Sequence, residues 1–264
     1  GQHVLSAPPD PPSGSWTSFE EALLHELMQG RGLYMYDSIK PLAFELTLRE
    51  RIVQAALDLN QSGVQYAVFE DAVCNPLFWT LTPQGGFLQR SDVPSSKAIQ
   101  DIYKNGPQYA FECATAMLIV LYKAVLDALG PQVFDRLFKD LYLYAWEFDQ
   151  DLGLSTFRRA DYFPGDIQYF RNPAVNPYTP EWQGENVVVL GNDLYYGHGM
   201  GILPSDQIIA RLNAQRRPGA WRSAYLLNQA TQPDFHYLSQ FYQKGLRKIA
   251  VASVGNSFFR WSYA

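Results

Sequence analysis

Two cysteines in 264 residues cannot build a disulfide framework, and nothing else in the chain requires an oxidising compartment. Positive charge is also scarce. Lys and Arg number 21 against 26 Asp and Glu, a net charge of -5, so no global field favours nucleic acid. No apolar run reaches the ~18 residues that span a bilayer, so no membrane partner is expected. No Cys/His set has zinc spacing, and "EFDQDLG" lacks the glutamate that would complete a calcium loop. The glycines of "GHGMG" do not open a helix as a dinucleotide fingerprint does. Neither metal nor cofactor is expected.

Hydrophobic residues make up 47% and aromatics 15%, enough for a sizeable core and for aromatic surfaces. Residues 1–16 are Pro- and Ser-rich and lack the basic-then-apolar layout of a signal peptide. They are expected to be a flexible lead-in, and Gly1 in place of Met points to processing. Ser18 and Glu21 have capping-box spacing ahead of an amphipathic helix. A second helix follows, with Phe44, Leu48, Ile52 and Leu59 near one face. The segment from about Tyr109 to Leu129 is the strongest helix of all, closed by Gly130-Pro131. Beyond it "LYLYAWEF", "DIQYF", "ENVVVL" and "DLYYGHG" read as strands, and "SDQIIARLNAQRR" as a helix. Helices first and then a largely antiparallel sheet predict an α+β domain over 17–232. Residues 233–264 mix basic and aromatic side chains, which suit either a binding tail or a strand completing the sheet.

Cys113 lies near the start of the long helix, where free N–H groups and the helix dipole favour a thiolate. The plainer alternative is a small buried hydrophobe. Its neighbour Glu112 opposes a thiolate, and so is either turned away or an acid beside the sulfur. A cysteine nucleophile needs a base. Among the four histidines, His198 is flanked by Gly197 and Gly199, which let backbone or ligand approach. A two-residue turn at Gly191-Asn192 pairs Leu190 with Asp193 and places Glu185 opposite His198, with Cβ atoms ~5 Å apart. The carboxylate would then fix the imidazole tautomer. A turn at Asn192-Asp193 would slip that register.

Four stretches, "SKAIQDIYKNGPQYAFECATA", "WQGENVVVLGND", "HGMGIL" and "GAWRSAYLLNQAT", occur in the order and spacing of a known family. Over residues 38–232 the chain resembles the bacterial spore-coat transglutaminases, protein-glutamine γ-glutamyltransferases. The resemblance implies a catalytic Cys113, His198 and Glu185, a further site role for Glu112, and a tunnel-wall role for Trp182. It implies a single papain-like (NlpC/P60-like) fold and calcium-independent transfer from a protein glutamine to a lysine amine through a Cys113 thioester. The expected partners are spore coat proteins bearing Gln and Lys, reached from the mother-cell cytoplasm. The same groups with water as acceptor would make a cysteine amidohydrolase or peptidase. A non-enzymatic coat protein would leave Cys113 inert.

Overall fold

The computed structural model describes residues 16–32 and 34–242, and the backbone of 248–254 and 257–263. The lead-in apart from Trp16 lies outside the described residues. A reciprocal cap starts the first helix. Thr17 accepts the Glu20 N–H at 3.1 Å, and Glu20 accepts the Thr17 N–H at 3.0 Å. Helix α1 (Ser18–Gln29) therefore begins one residue earlier than the Ser18–Glu21 spacing predicts. Its Leu23, Leu24 and Leu27 pack on Leu42 and Leu46 of α2 (Ile39–Gln61). The other face of α2, carrying Phe44, Leu48, Ile52 and Leu59, enters the main core.

Three more helices follow: α3 (Ser95–Lys104), α4 (Cys113–Leu129) and α5 (Pro131–Leu137). Apart from Lys123, every residue of α4 from Ala114 to Leu126 is buried. A helix apolar on all sides belongs in the centre of a core, and α4 runs there against α2.

Five short strands accompany the helices: β1 (Gln65–Tyr66), β2 (Trp79–Leu81), β3 (Phe87–Gln89), β4 (Ala110–Phe111) and β5 (Tyr142–Leu143). β1 and β4 pair in parallel just ahead of Cys113, whereas β2, β3 and β5 form an antiparallel sheet. The stretch "LYLYAWEF" is thus a strand only over Tyr142–Leu143. It then turns sharply at Ala145 (φ 48), whose N–H is held by Thr115 Oγ1 at 3.1 Å.

The principal sheet is antiparallel throughout. Its strands are β6 (Ser155–Phe157), β7 (Ile167–Arg171), β8 (Gly184–Gly191), β9 (Leu194–Gly197), β10 (Gly201–Pro204), β11 (Tyr225–Leu226) and β12 (Ala230–Gln232). They run β10-β9-β8-β7-β12-β6, with β11 also on β7. Helix α6 (Ser205–Ala214) packs near β10, and α7 (Phe235–Ser239) packs on α2. Phe235, Leu238 and Tyr242 belong to the main core, so packing continues past Pro233. β13 (Lys248–Val254) and β14 (Ser257–Tyr263) pair with each other and, among the described residues, do not extend the principal sheet. The molecule is a mixed helix-and-sheet protein in which one sheet face covers α4.

A buried polar knot ties these layers. Arg49 on α2 is 1% exposed and forms ion pairs with Glu45 and Asp166, both at 2.9 Å. It also donates to the Pro164 carbonyl and to Gln232 Oε1, each at 3.0 Å, while its guanidinium lies over the Phe235 ring. Burial alone disfavours such a cation, but the two carboxylates outweigh it and hold Arg49 charged.

Candidate active site

Strand register decides which side chains meet. In the β8–β9 hairpin Val187 pairs with Gly197, Val188 with Tyr196 and Val189 with Tyr195. A bulge at Leu190 then shifts the ladder to Gly191–Leu194. The turn residues are Asn192 (φ 51) and Asp193 (φ 57), two residue types that tolerate left-handed backbone. The turn is therefore not at Gly191-Asn192. Continuing the ladder sets Asn186, and not Glu185, across from His198. The expected Glu185–His198 pair does not form.

His198 is occupied elsewhere. Its Nε2 is 3.2 Å from the Gln65 carbonyl, which can only accept, so Nε2 carries the proton. Its Nδ1, 3.2 Å from the Tyr196 hydroxyl, then accepts. The ring stacks on Phe111 at 4.7 Å, locking β9 against the β1–β4 pair. Burial lowers its pKa to about 4, the carbonyls of Gln65 and Phe111 opposing. No hydrogen bond joins it to Cys113 or Glu185 among the described residues.

A depressed His198 pKa has a consequence for stability. The unfolded chain takes up this proton below pH ~6.5, whereas the folded chain resists until about pH 4. Stability from this group is complete above pH ~6.5 and falls as pH drops through that window, by on the order of 3 kcal/mol. Buried carboxylates shift the opposite way, so the expected result is a difference. Thermal melts of His198→Phe should show less loss between pH 6.5 and 4 than wild type. Parallel curves would refute the assignment.

Cys113 is the first residue of α4, reached directly from β4. Its Sγ accepts from Asn186 Nδ2 at 3.4 Å and also from the Asn186 backbone N–H. Those bonds favour the thiolate, but burial first, then the charges of Glu185 and Glu112, push the thiol well above its usual range. The advantage expected from the helix start is outweighed. Glu185 is 5% exposed, and its Oε1 has no hydrogen-bond partner among the described residues. Burial and the Glu112 charge raise its pKa well above the carboxylate range. Gly197 makes room for it, since a Cβ there would lie 3.0 Å from the Glu185 Cγ and Oε1.

Glu112 faces the helix it precedes. It caps α4, accepting from Ala114 N at 2.7 Å, Thr115 N at 2.6 Å and Thr115 Oγ1 at 2.9 Å. With those two N–H groups taken, the Cys113 N–H is left as an open donor at the helix start among the described residues.

A cleft of about 770 Å³ opens over Cys113. Its aromatic sides are Tyr66, Phe69, Trp146, Phe148 and Tyr169, and Glu70, Glu112 and Glu181 are its charged residues. Among its lining residues there is no Lys, Arg or His. Trp182 is not one of them: Pro180, Glu181 and Gln183 of the same short helix line the cleft, while Trp182 packs beside Phe170, Val187 and Leu212. The wall position expected for Trp182 is filled by Trp146 and Phe148, which the Ala145 turn presents. Neither these two residues nor Asn186 had a signal of its own in the sequence, although Asn186 follows Glu185 directly in "GEN".

Known proteins match the chain over most of its length. The family model for protein-glutamine gamma-glutamyltransferases (TGL) matches residues 3–242. A Bacillus cereus (strain B4264) protein-glutamine gamma-glutamyltransferase is 43% identical over 235 residues, covering 89% of this chain and 85% of the relative. A Halalkalibacterium halodurans protein of the same name is 46% identical over 213 residues, covering 81% and 75%. The solved structure of the transglutaminase from Geobacillus stearothermophilus, without its C-terminal extension, superposes with a TM-score of 0.75 at 51% identity. That match covers 78% of this chain and 99% of the solved one.

Proposed function

The chain belongs to the protein-glutamine gamma-glutamyltransferase family of acyltransferases, and on that premise we propose that Cys113 carries the acyl group and Glu185 moves the protons. The observation that carries this reading is a buried Glu185 whose Oε1 has no partner among the described residues and whose charge acts on Cys113, while both ring nitrogens of His198 are engaged by Gln65 and Tyr196. The Glu185 charge helps to raise the Cys113 pKa, while burial and the Glu112 charge raise that of Glu185, and the reactive state has the proton on the thiol and the charge on Glu185.

From that state Glu185 takes the thiol proton as sulfur attacks the carboxamide carbon of a protein glutamine. The C–N bond breaks, and Glu185 returns the proton to the departing ammonia, leaving a thioester. A lysine amine attacks next and gives a proton to Glu185. As the C–S bond breaks, that proton goes back to the sulfur, and an isopeptide link remains. The Cys113 N–H and Asn186 Nδ2 are the donors for the oxyanion. Glu112 holds the helix start and tunes the pair by its charge, and His198 positions β9 and Gln65.

The thioester must last until an amine arrives. Trp146, Phe148 and Tyr169 offer an apolar channel for the lysine stem, and the acidic mouth suits its ammonium. Nothing in the chemistry calls for a metal, so the reaction is calcium-independent. A nucleophile on a core helix packed under an antiparallel sheet also supports the papain-like assignment of the domain. The resemblance to spore-coat enzymes makes coat proteins, met from the mother-cell cytoplasm, the proposed substrates.

The test follows a fluorescent primary amine into a glutamine-bearing protein, with chelator present, while ammonia is measured. In Glu185→Gln, kcat/KM should fall by about 10²–10³-fold. Wild-type activity should fall as pH drops through the raised Glu185 pKa, because the base must be ionised, and that limb should vanish in the variant. An unchanged acidic limb would return the proton transfer to another group. Ammonia without label would make water the acceptor.

A further inference from the structure

Away from the cleft walls, two loops are held together by backbone bonds. Arg217 N–H donates to the Ala174 carbonyl at 3.0 Å and Asn176 N–H to the Gln215 carbonyl at 2.9 Å. Asn172 sits beneath them, its Nδ2 donating to the carbonyls of Trp182 and Leu212. On this platform Trp221 is 87% exposed and Tyr178 is 93% exposed. Trp221 lines a surface hollow with Pro173, Arg217, Pro218 and Arg222, and no acid lines it. Between residues 211 and 222 the chain has four arginines and no Asp or Glu, although the whole chain is acidic at -5. Arg211 and Arg216 spend their guanidinium groups on backbone carbonyls. Arg217 and Arg222 make no ion pair among the described residues.

A tryptophan left in water beside two free guanidinium groups, on a braced loop, has the make-up of a binding hot spot. We propose that this platform is an exosite for glutamine-bearing protein substrates, engaging an acidic segment outside the reactive glutamine. Charge complementarity selects the occupant. The cleft itself presents Glu70, Glu112 and Glu181 and repels an acidic segment, while Arg217 and Arg222 attract one. The loop carrying Tyr178 runs on directly into Pro180 and Glu181, which line the cleft, so only a short stretch of chain separates the two features. A glutamine reaches Cys113 only by its side chain, so the rest of its polypeptide lies over the surface outside the cleft. The inference rests on the transglutaminase reading of that cleft.

The experiment compares three glutamine donors with one amine acceptor: a small uncharged glutamine dipeptide, and longer peptides with neutral or acidic flanks. Wild type should show a KM for the acidic peptide about 10-fold below that of the neutral one, with the advantage fading as salt rises. Trp221→Ala and Arg217→Glu/Arg222→Glu should remove that advantage while kcat and dipeptide turnover stay as in wild type. Equal KM values for the two peptides in wild type would overturn the exosite. So would a variant that loses dipeptide turnover in parallel, since the platform would then be structural. Sedimentation and oligonucleotide binding are run alongside. A wild-type dimer that Trp221→Ala dissociates, or an oligonucleotide held by the arginines, would reassign the surface to a second copy or to nucleic acid. If no donor reacts in wild type, the failure lies with the proposed function.

Discussion

Cys113→Ala should eliminate amine incorporation and ammonia release together, with a loss of at least about 10⁴-fold in kcat. Both half-reactions pass through the sulfur, so neither product survives its removal. The fold should be kept, because the side chain is small and, among the described residues, its hydrogen bonds come from Asn186. Near-UV spectra and thermal melts would check that point. A second readout separates chemistry from structure. Wild type mixed with a glutamine protein and no amine should accumulate a hydroxylamine-sensitive adduct on Cys113. Iodoacetamide should label Cys113 only slowly near neutral pH, since burial and two carboxylates hold the thiol protonated. Fast alkylation with no pH dependence would contradict the protonated thiol. Cross-linking that persists in the variant would overturn the assignment of Cys113.

Arg49→Met should destabilise the protein by about 3–5 kcal/mol, lowering Tm by on the order of 10 °C. The methionine fills most of the volume, so the cost comes from the partners left behind. Glu45 and Asp166 would remain buried without their cation, and Gln232 Oε1 and the Pro164 carbonyl without a donor. Phe235 would lose the guanidinium face it rests against. Because the orphaned Asp166, whose pKa burial already raises, can escape by taking up a proton, the loss should shrink as pH falls. The paired variant Arg49→Met/Asp166→Leu should recover part of the stability, since the desolvation cost of one charge is then gone. Limited proteolysis near Gln232 and Phe235 should accelerate in Arg49→Met, as those residues connect β12 and α7 to α2. A loss below ~1 kcal/mol in urea unfolding would show that the network is peripheral to stability.

Much of this protein is legible from residue order alone. Apolar residues on every side of α4, with Gly130-Pro131 behind it, specify a core helix, and Cys113 stands where its first turn must form. The glycine-rich "GHGMG" and the turn-prone "GND" mark a hairpin, and the family motifs bring Cys113, Glu185 and His198 forward as a group. What chain order does not settle is which of these meet. Side chains on a strand alternate between faces, so the Leu190 bulge and a turn at Asn192-Asp193 were enough to separate Glu185 from His198. Trp146 and Phe148 become cleft walls because Ala145 bends a run that looks like a strand, and Trp182 turns to the far side of the sheet. Arg49 looks like any helix-surface arginine until Asp166 and Gln232, more than a hundred residues away, close around it. Propensity and periodicity are short-range and are written in the sequence. Register, burial of charge and the raised pKa values of Cys113 and Glu185 arise only when distant segments exclude water together, and those belong to the tertiary structure.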